Sequence, residues 1–120
     1  MINHYLDKPA IVIYKNKDIK NVVDFDELLW GIEEENIPCG VDIKDEKLAE
    51  KLAYKAAQDS KLGIGIGIGN DNRLVITHSK LNFGETLFDV DLERDVYILR
   101  NLGSNAARIV KGVPLKKYKD

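Results

Sequence analysis

Apolar positions along the chain change their period several times, and each change marks an element. Residues Ala10 to Tyr14 form an uninterrupted apolar, β-branched run after Pro9, the pattern of a buried strand. Phe25, Leu28, Leu29 and Ile32 then fall at i, i+3, i+4 and i+7, which predicts an amphipathic helix ending near Asn36. Asp24, followed three positions later by Glu27, gives that helix a capping signature. Pro38 stops it, and Pro38 to Ile43 reads as a second short strand. Asp45 can cap a second helix whose buried stripe is Leu48, Ala49, Leu52, Ala53, Ala56 and Ala57. Because this stripe is mostly alanine, the helix can lie unusually close to whatever it covers.

From Leu62 to Gly69 the alternation is strict, placing Ile64, Ile66 and Ile68 on one face of a strand and four glycines on the other. A bare face weakens a strand unless another element packs directly on its backbone, and the alanine stripe is the natural candidate. Asn70-Asp71-Asn72 reads as a turn, and Leu74 to Thr77 as an antiparallel return. A short edge strand is expected over Thr86 to Val90. A last helix from about Leu92 to Lys111 carries Leu92, Val96, Leu99, Gly103, Ala106 and Val110 on one stripe, ended by Gly112 and Pro114. This order predicts an α/β fold in a single domain over residues 1–120, with a mixed, mostly parallel sheet and helices on both faces.

Composition narrows the function classes. The longest apolar runs are far too short to span a bilayer, and the amino terminus lacks a secretion-signal pattern, so no membrane association and a cytoplasmic location are expected. A lone cysteine, Cys39, cannot form an internal disulfide and reads as a small buried hydrophobe. The formal net charge of −2 gives no basic footprint, so no nucleic acid partner is expected. The basic 111–120 stretch reads as a solvated tail.

Catalytic chemistry is missing from the pattern. The glycine-rich strand fails the dinucleotide fingerprint, since the fifth position after Gly63 is Ile68 and after Gly65 is Asn70, and no Gly-Lys-Ser/Thr loop exists. His4 and His78 lie far apart, and neither a zinc-spaced Cys/His cluster nor a Gly-x-Ser-x-Gly elbow occurs.

What remains is one side of the first helix. A regular helix places Glu27, Trp30 and Glu34 together, opposite the Phe25/Leu28/Leu29/Ile32 stripe. An outward Trp30 is a candidate anchor for a protein interface; the alternative is that it folds over the helix flank or beneath the 79–90 loop. Glu33-Glu34-Glu35 sits in the last turn, where the helix dipole disfavours negative charge. It reads either as a solvated acidic run or, through Glu34, as a carboxylate offered to a partner's arginine or to a divalent metal.

Two stretches, GIEEENIP over 31–38 and RNLGSNAARIVKGVP over 100–114, with the alternating glycine strand between them, resemble the small subunit of the reactivating factors of cobalamin-dependent diol and glycerol dehydratases. The same family includes the medium subunit of the dehydratases themselves, a longer relative. The resemblance implies a three-layer α/β/α fold with a five-stranded mixed sheet of order 2-1-3-4-5, strand 4 antiparallel. It implies a non-catalytic chain that pairs with an actin- and Hsp70-like ATPase large subunit and exchanges with the dehydratase subunit, so that damaged cobalamin is released. Glu34 is similar to the middle glutamate of the family's Gly-Ile-Glu-Glu-Glu motif, which the resemblance makes a magnesium ligand completed by the large subunit. No cofactor is then expected on the isolated chain. This sequence departs from the pattern at Asn36, where glycine is usual, and at Ser104, where asparagine is common.

Asn101, Gly103 and Asn105 read as helix architecture, the glycine allowing close packing and the asparagines satisfying nearby backbone. Two other functions stay open: a medium-subunit homologue within a cobalamin-dependent enzyme, and a stand-alone small-molecule-binding domain using the sheet's carboxyl edge. Residence in a bacterial microcompartment is also left open by the residues.

Overall fold

The computed structural model describes residues 8–19, 25–92 and 95–117. In chain order these form β1 (Ile11–Asn16), α1 (Asp26–Glu33), β2 (Cys39–Lys44), α2 (Ala49–Asp59), β3 (Ile64–Ile68), β4 (Arg73–His78), β5 (Phe88–Asp91) and α3 (Val96–Lys111). The five strands make one sheet of order β2-β1-β3-β4-β5. β1 runs parallel to β2 and β3, whereas β4 is antiparallel to both β3 and β5. This is the mixed sheet and strand order expected of the fold class.

Alternation along β3 separates two kinds of packing. Ile64, Ile66 and Ile68 face a core built with Ile11, Ile13, Leu28, Ile32, Leu99 and Leu102, so α1 and α3 cover that side. The glycine side carries α2 directly on the strand backbone. A Cβ built on Gly65 would lie 2.1 Å from the Ala57 nitrogen, and one on Gly67 2.1 Å from the Ala49 carbonyl oxygen. Both distances are far inside van der Waals contact, so glycine facing alanine lets the two backbones touch. Val12, Tyr14, Leu52 and Ala56 complete this thinner second core.

Several boundaries differ from the sequence expectation. α2 begins at Ala49, not after an Asp45 cap: its Leu48 cap position makes no side-chain bond, and the Ala49 N–H is accepted by the Asp71 carboxylate at 3.3 Å. A residue from the β3–β4 turn thus does the work assigned to Asp45, while Glu46 accepts from the Lys47 and Leu48 amides. Leu48 is consequently exposed and not part of the buried stripe. α3 starts at Val96 with Asp95 as its cap, accepting from the Tyr97 N–H at 2.7 Å. Leu92 is buried but precedes the helix, and Val96 is exposed. Gly63 belongs to the turn before β3 at φ +78° instead of to the bare face. Asp24 and His4 lie outside the described residues. Among the described residues, no helix is long and apolar enough to cross a membrane.

Candidate functional site

α1 is short because Asn36 ends its last turn in the left-handed region at φ 63°, a conformation asparagine tolerates, and Pro38 follows. The helix has two neighbours, the sheet beneath and α3 alongside. Leu28 and Ile32 are fully buried against them. Contact with α3 is made backbone to backbone: a Cβ on Gly31 would meet the Arg100 carbonyl oxygen at 2.0 Å, and one on Gly103 the Leu28 carbonyl oxygen at 2.1 Å. One glycine on each helix therefore fixes the crossing, and the crossing decides which polar side chains meet.

Trp30 lies on the side of α1 left bare by both neighbours and is 47% exposed. The Arg100 guanidinium stands 5.9 Å from its ring centroid, at the outer edge of a cation–π contact. Val96 and Tyr97, a turn earlier on α3, are exposed as well.

The helical wheel groups Glu27 and Glu34 with Trp30; in the structure Glu34 is exposed as Trp30 is, whereas Glu27 turns inward toward α3. The Glu27 side chain is only 15% exposed and its Oε1 lies 3.5 Å from Arg100 Nη1. A single-face wheel assumes one buried neighbour; with α3 at its flank, α1 turns its polar side into a seam. Glu34 closes the same seam from the end of the helix. Its Oε2 accepts from Arg100 Nη2 at 3.0 Å, and its Oε1 accepts from Lys116 Nζ at 3.3 Å. The Ser104 hydroxyl lies 2.9 Å from that Oε1 and 3.1 Å from the Gly31 carbonyl oxygen, with one proton to give to either. Burial pushes the Glu34 carboxyl upward, but the hydrogen bonds from Ser104, Arg100 and Lys116 outweigh it and hold the group below the usual carboxylate range. Ser104 thus supplies a donor to the acidic motif.

Glu35 is tied more tightly still. Lys111 Nζ is 2.7 Å from its Oε1 and Arg108 Nε 3.0 Å from its Oε2, and these two cations keep its carboxyl ionised below the ordinary range. Two of the three consecutive glutamates are therefore matched by α3 cations, which offsets the unfavourable helix dipole there and differs from a purely solvated run. Glu33 is exposed. The signal that could have revealed the matching is the spacing of Arg100, Ser104, Arg108 and Lys111 at i, i+4, i+8 and i+11, one face of a helix.

The stretch after α3 is also not the solvated tail expected from its composition. It runs back antiparallel along α3: Pro114 O accepts from Arg108 Nη1 at 3.0 Å, and Lys117 O accepts from Asn101 Nδ2 at 3.2 Å. Between them the buried Asn105 amide grips the Lys116 backbone twice, donating to its carbonyl at 2.8 Å and accepting from its N–H at 2.6 Å. The asparagines satisfy backbone, as their reading as helix architecture requires.

Nothing catalytic assembles elsewhere among the described residues. No group of three or more His, Cys, Asp or Glu side chains could hold a metal ion there. The Cys39 thiol is pushed up to about 11 by burial and by the Glu33 carboxylate, the opposite of an activated nucleophile. His78 Nδ1 accepts the Lys80 N–H within a turn. Toward a hard cation, Glu34 offers a carboxylate oxygen donor whose side chain is 34% exposed. That fits a ligand set completed by another chain, and it requires Arg100 and Lys116 to yield.

The family model for the dehydratase medium subunit matches residues 8–116, nearly the whole chain. The chain belongs to the dehydratase medium subunit family. Its relatives in that family include the propanediol dehydratase-reactivating factor small subunit of Citrobacter freundii, 35% identical over 93% of this chain and 94% of the relative. The corresponding Salmonella typhimurium subunit is 36% identical over 90% of each chain. Among solved structures, a glycerol dehydratase reactivase chain superposes with a TM-score of 0.88, at 29% identity, over 93% of this family member and all of that chain. A diol dehydratase-reactivating factor complexed with ADP and Mg2+ matches with a TM-score of 0.83, at 34% identity over 92% of this chain and 99% of that one. The family expected from GIEEENIP and RNLGSNAARIVKGVP is thereby shown, and so is the fold.

Proposed function

We propose that this chain is the one-domain, non-catalytic small subunit of a chaperone-like diol/glycerol dehydratase reactivase in the cytoplasm. It pairs with an actin/Hsp70-like ATPase large subunit and exchanges with the dehydratase medium subunit, so that damaged cobalamin leaves the client. The observation that supports this reading is likeness along the whole alignment: the chain matches reactivating-factor small subunits at 35–36% identity over 90% or more of both partners. The exposed Trp30 supplies an apolar anchor of the kind that large, rigid side chains make at interfaces, and Val96 and Tyr97, in the turn of α3 before Arg100, are exposed too. Glu34 beside it supplies a carboxylate. If Mg2+ sits at the joint, Glu34 would hold it from this side, and the ion would supply a positive charge there.

Co-expression with the ATPase large subunit is the test. A stable complex should form, the isolated small subunit should hydrolyse no ATP, and Trp30→Ala should weaken the complex at least tenfold, the loss typical of a central anchor. Failure to co-purify, or full affinity in the Trp30→Ala protein, refutes the assignment. Stable incorporation into a dehydratase in place of its medium subunit, with catalytic turnover, would instead support the enzyme-subunit reading.

A further inference from the structure

The segment 113–117 is fastened to α3 in an unusual way for a segment of its composition. All its ties are polar: Arg108, Asn105 and Asn101 hold the backbone of Pro114, Lys116 and Lys117. Its large apolar side chains, Val113 and Leu115, are only about half covered, 41% and 48% exposed, so neither is sealed into the core. A hydrogen bond to water replaces each of these ties at small net loss, typically about 0.5–1.5 kcal/mol apiece, whereas a buried leucine would be far harder to lift. The same segment places the Lys116 ammonium 3.3 Å from Glu34 Oε1.

We propose that this segment is a detachable cover for Glu34, with Lys116 as an internal stand-in for the cation a partner presents. The proposal rests on the reading that Glu34 faces the partner. A carboxylate already held by Ser104, Arg100 and Lys116 is neutralised and partly screened from a second chain. An incoming guanidinium, ammonium or divalent ion competes with Lys116 for Oε1. When it wins, the anchor of the strap on α1 is gone and only the Asn and Arg ties to α3 remain. The free chain then keeps its acidic site satisfied, and docking is coupled to release of the strap.

Affinity for the large subunit, measured by calorimetry with full-length Lys116→Met, Asn105→Ala and Glu34→Gln chains, tests this. Lys116 is partly exposed and its replacement leaves the core untouched, so that variant serves if Asn105→Ala fails to fold. Removing the competitor should tighten binding about two- to fivefold, the value of one exposed ion pair. Glu34→Gln should weaken binding, and the Lys116 amide should lose hydrogen-exchange protection when the complex forms. A chelator distinguishes the cations: loss of the Lys116→Met gain identifies a divalent ion, and its persistence a side-chain cation. Lys116→Met binding equally or more weakly, while Glu34→Gln is impaired, overturns the cover but leaves Glu34 at the interface. Unchanged affinity of Glu34→Gln removes Glu34 from the interface, and the cover with it.

Discussion

Replacing Gly103 with alanine separates two physical effects of opposite sign. Glycine in a helix interior is worse than alanine by about 1 kcal/mol, so on propensity alone Gly103→Ala should stabilise the protein. Packing says the reverse. The new Cβ would lie 2.1 Å from the Leu28 carbonyl oxygen, whereas ordinary contact begins at 3.4 Å, and the obstacle is backbone that cannot swing aside. Relief requires α1 and α3 to part by about 1.3 Å over their crossing, and overpacking of this kind costs about 1–3 kcal/mol, with the upper end expected where no side chain can yield. Parting the helices also lengthens the Arg100 contacts to Glu27 and Glu34, now 3.5 and 3.0 Å, which bridge the same seam. The net expectation is a loss of about 2 kcal/mol, or roughly 6–12 °C in midpoint for a domain of this size. Urea denaturation followed by circular dichroism, with an unchanged slope, gives the number. A Gly103→Ala protein as stable as the parent, or more so, would show that the helices do not meet through their backbones and would undo the account of how Glu34 is positioned.

Gly65→Ala carries the same contradiction on the other face of the sheet: strand propensity favours alanine, yet α2 blocks the Cβ, so a drop of about 2 kcal/mol or more is expected by thermal melting, and a rise would rule out direct α2–β3 contact. Glu35 has its folded carboxyl lowered by Lys111 and Arg108, so its contribution is fully present above the unfolded value near about 4.3 and drains away as pH falls through the lower folded value. Stability of Glu35→Gln should therefore fall less steeply than the parent's between about pH 6 and pH 3, and parallel curves would contradict the pairing. Cys39, with its thiol near 11, should react with a disulfide reagent at pH 8 roughly two orders of magnitude more slowly than a free cysteine, and comparable rates would show that the thiol is neither buried nor near Glu33.

How far the chain could be read in advance depended on whether a signal was local. The 62–69 alternation announced both a strand and its bare face, because side-chain direction in a strand follows from neighbouring residues alone. The alanine stripe did the same for α2, and the two were correctly matched. Capping failed for the opposite reason: Asp45 has the right type and place, but Asp71, twenty-two positions from Ala49, reaches the amide first. The seam around Glu34 was only half legible. Its acidic members stood out in GIEEENIP, whereas Arg100, Ser104 and Lys116 lie 66 to 82 positions away and become neighbours only through the Gly31/Gly103 crossing. No periodicity within a single helix encodes that meeting, although the polar face of α3 was visible as spacing.

Both helix layers meet the sheet through apolar packing, but only one carries a seam of ion pairs at its outer edge, and this has an environmental consequence. α2 rests on glycine backbone through dispersion and exclusion of water, which dissolved ions barely touch. α1, α3 and the strap are laced at their outer edge by partly exposed charges, whose attraction fades over about 10 Å at 0.1 M ionic strength and over shorter distances in brine. The molecule therefore has one side whose tightness follows the ionic medium more closely than the other's. Crowded electrolyte should soften the former more.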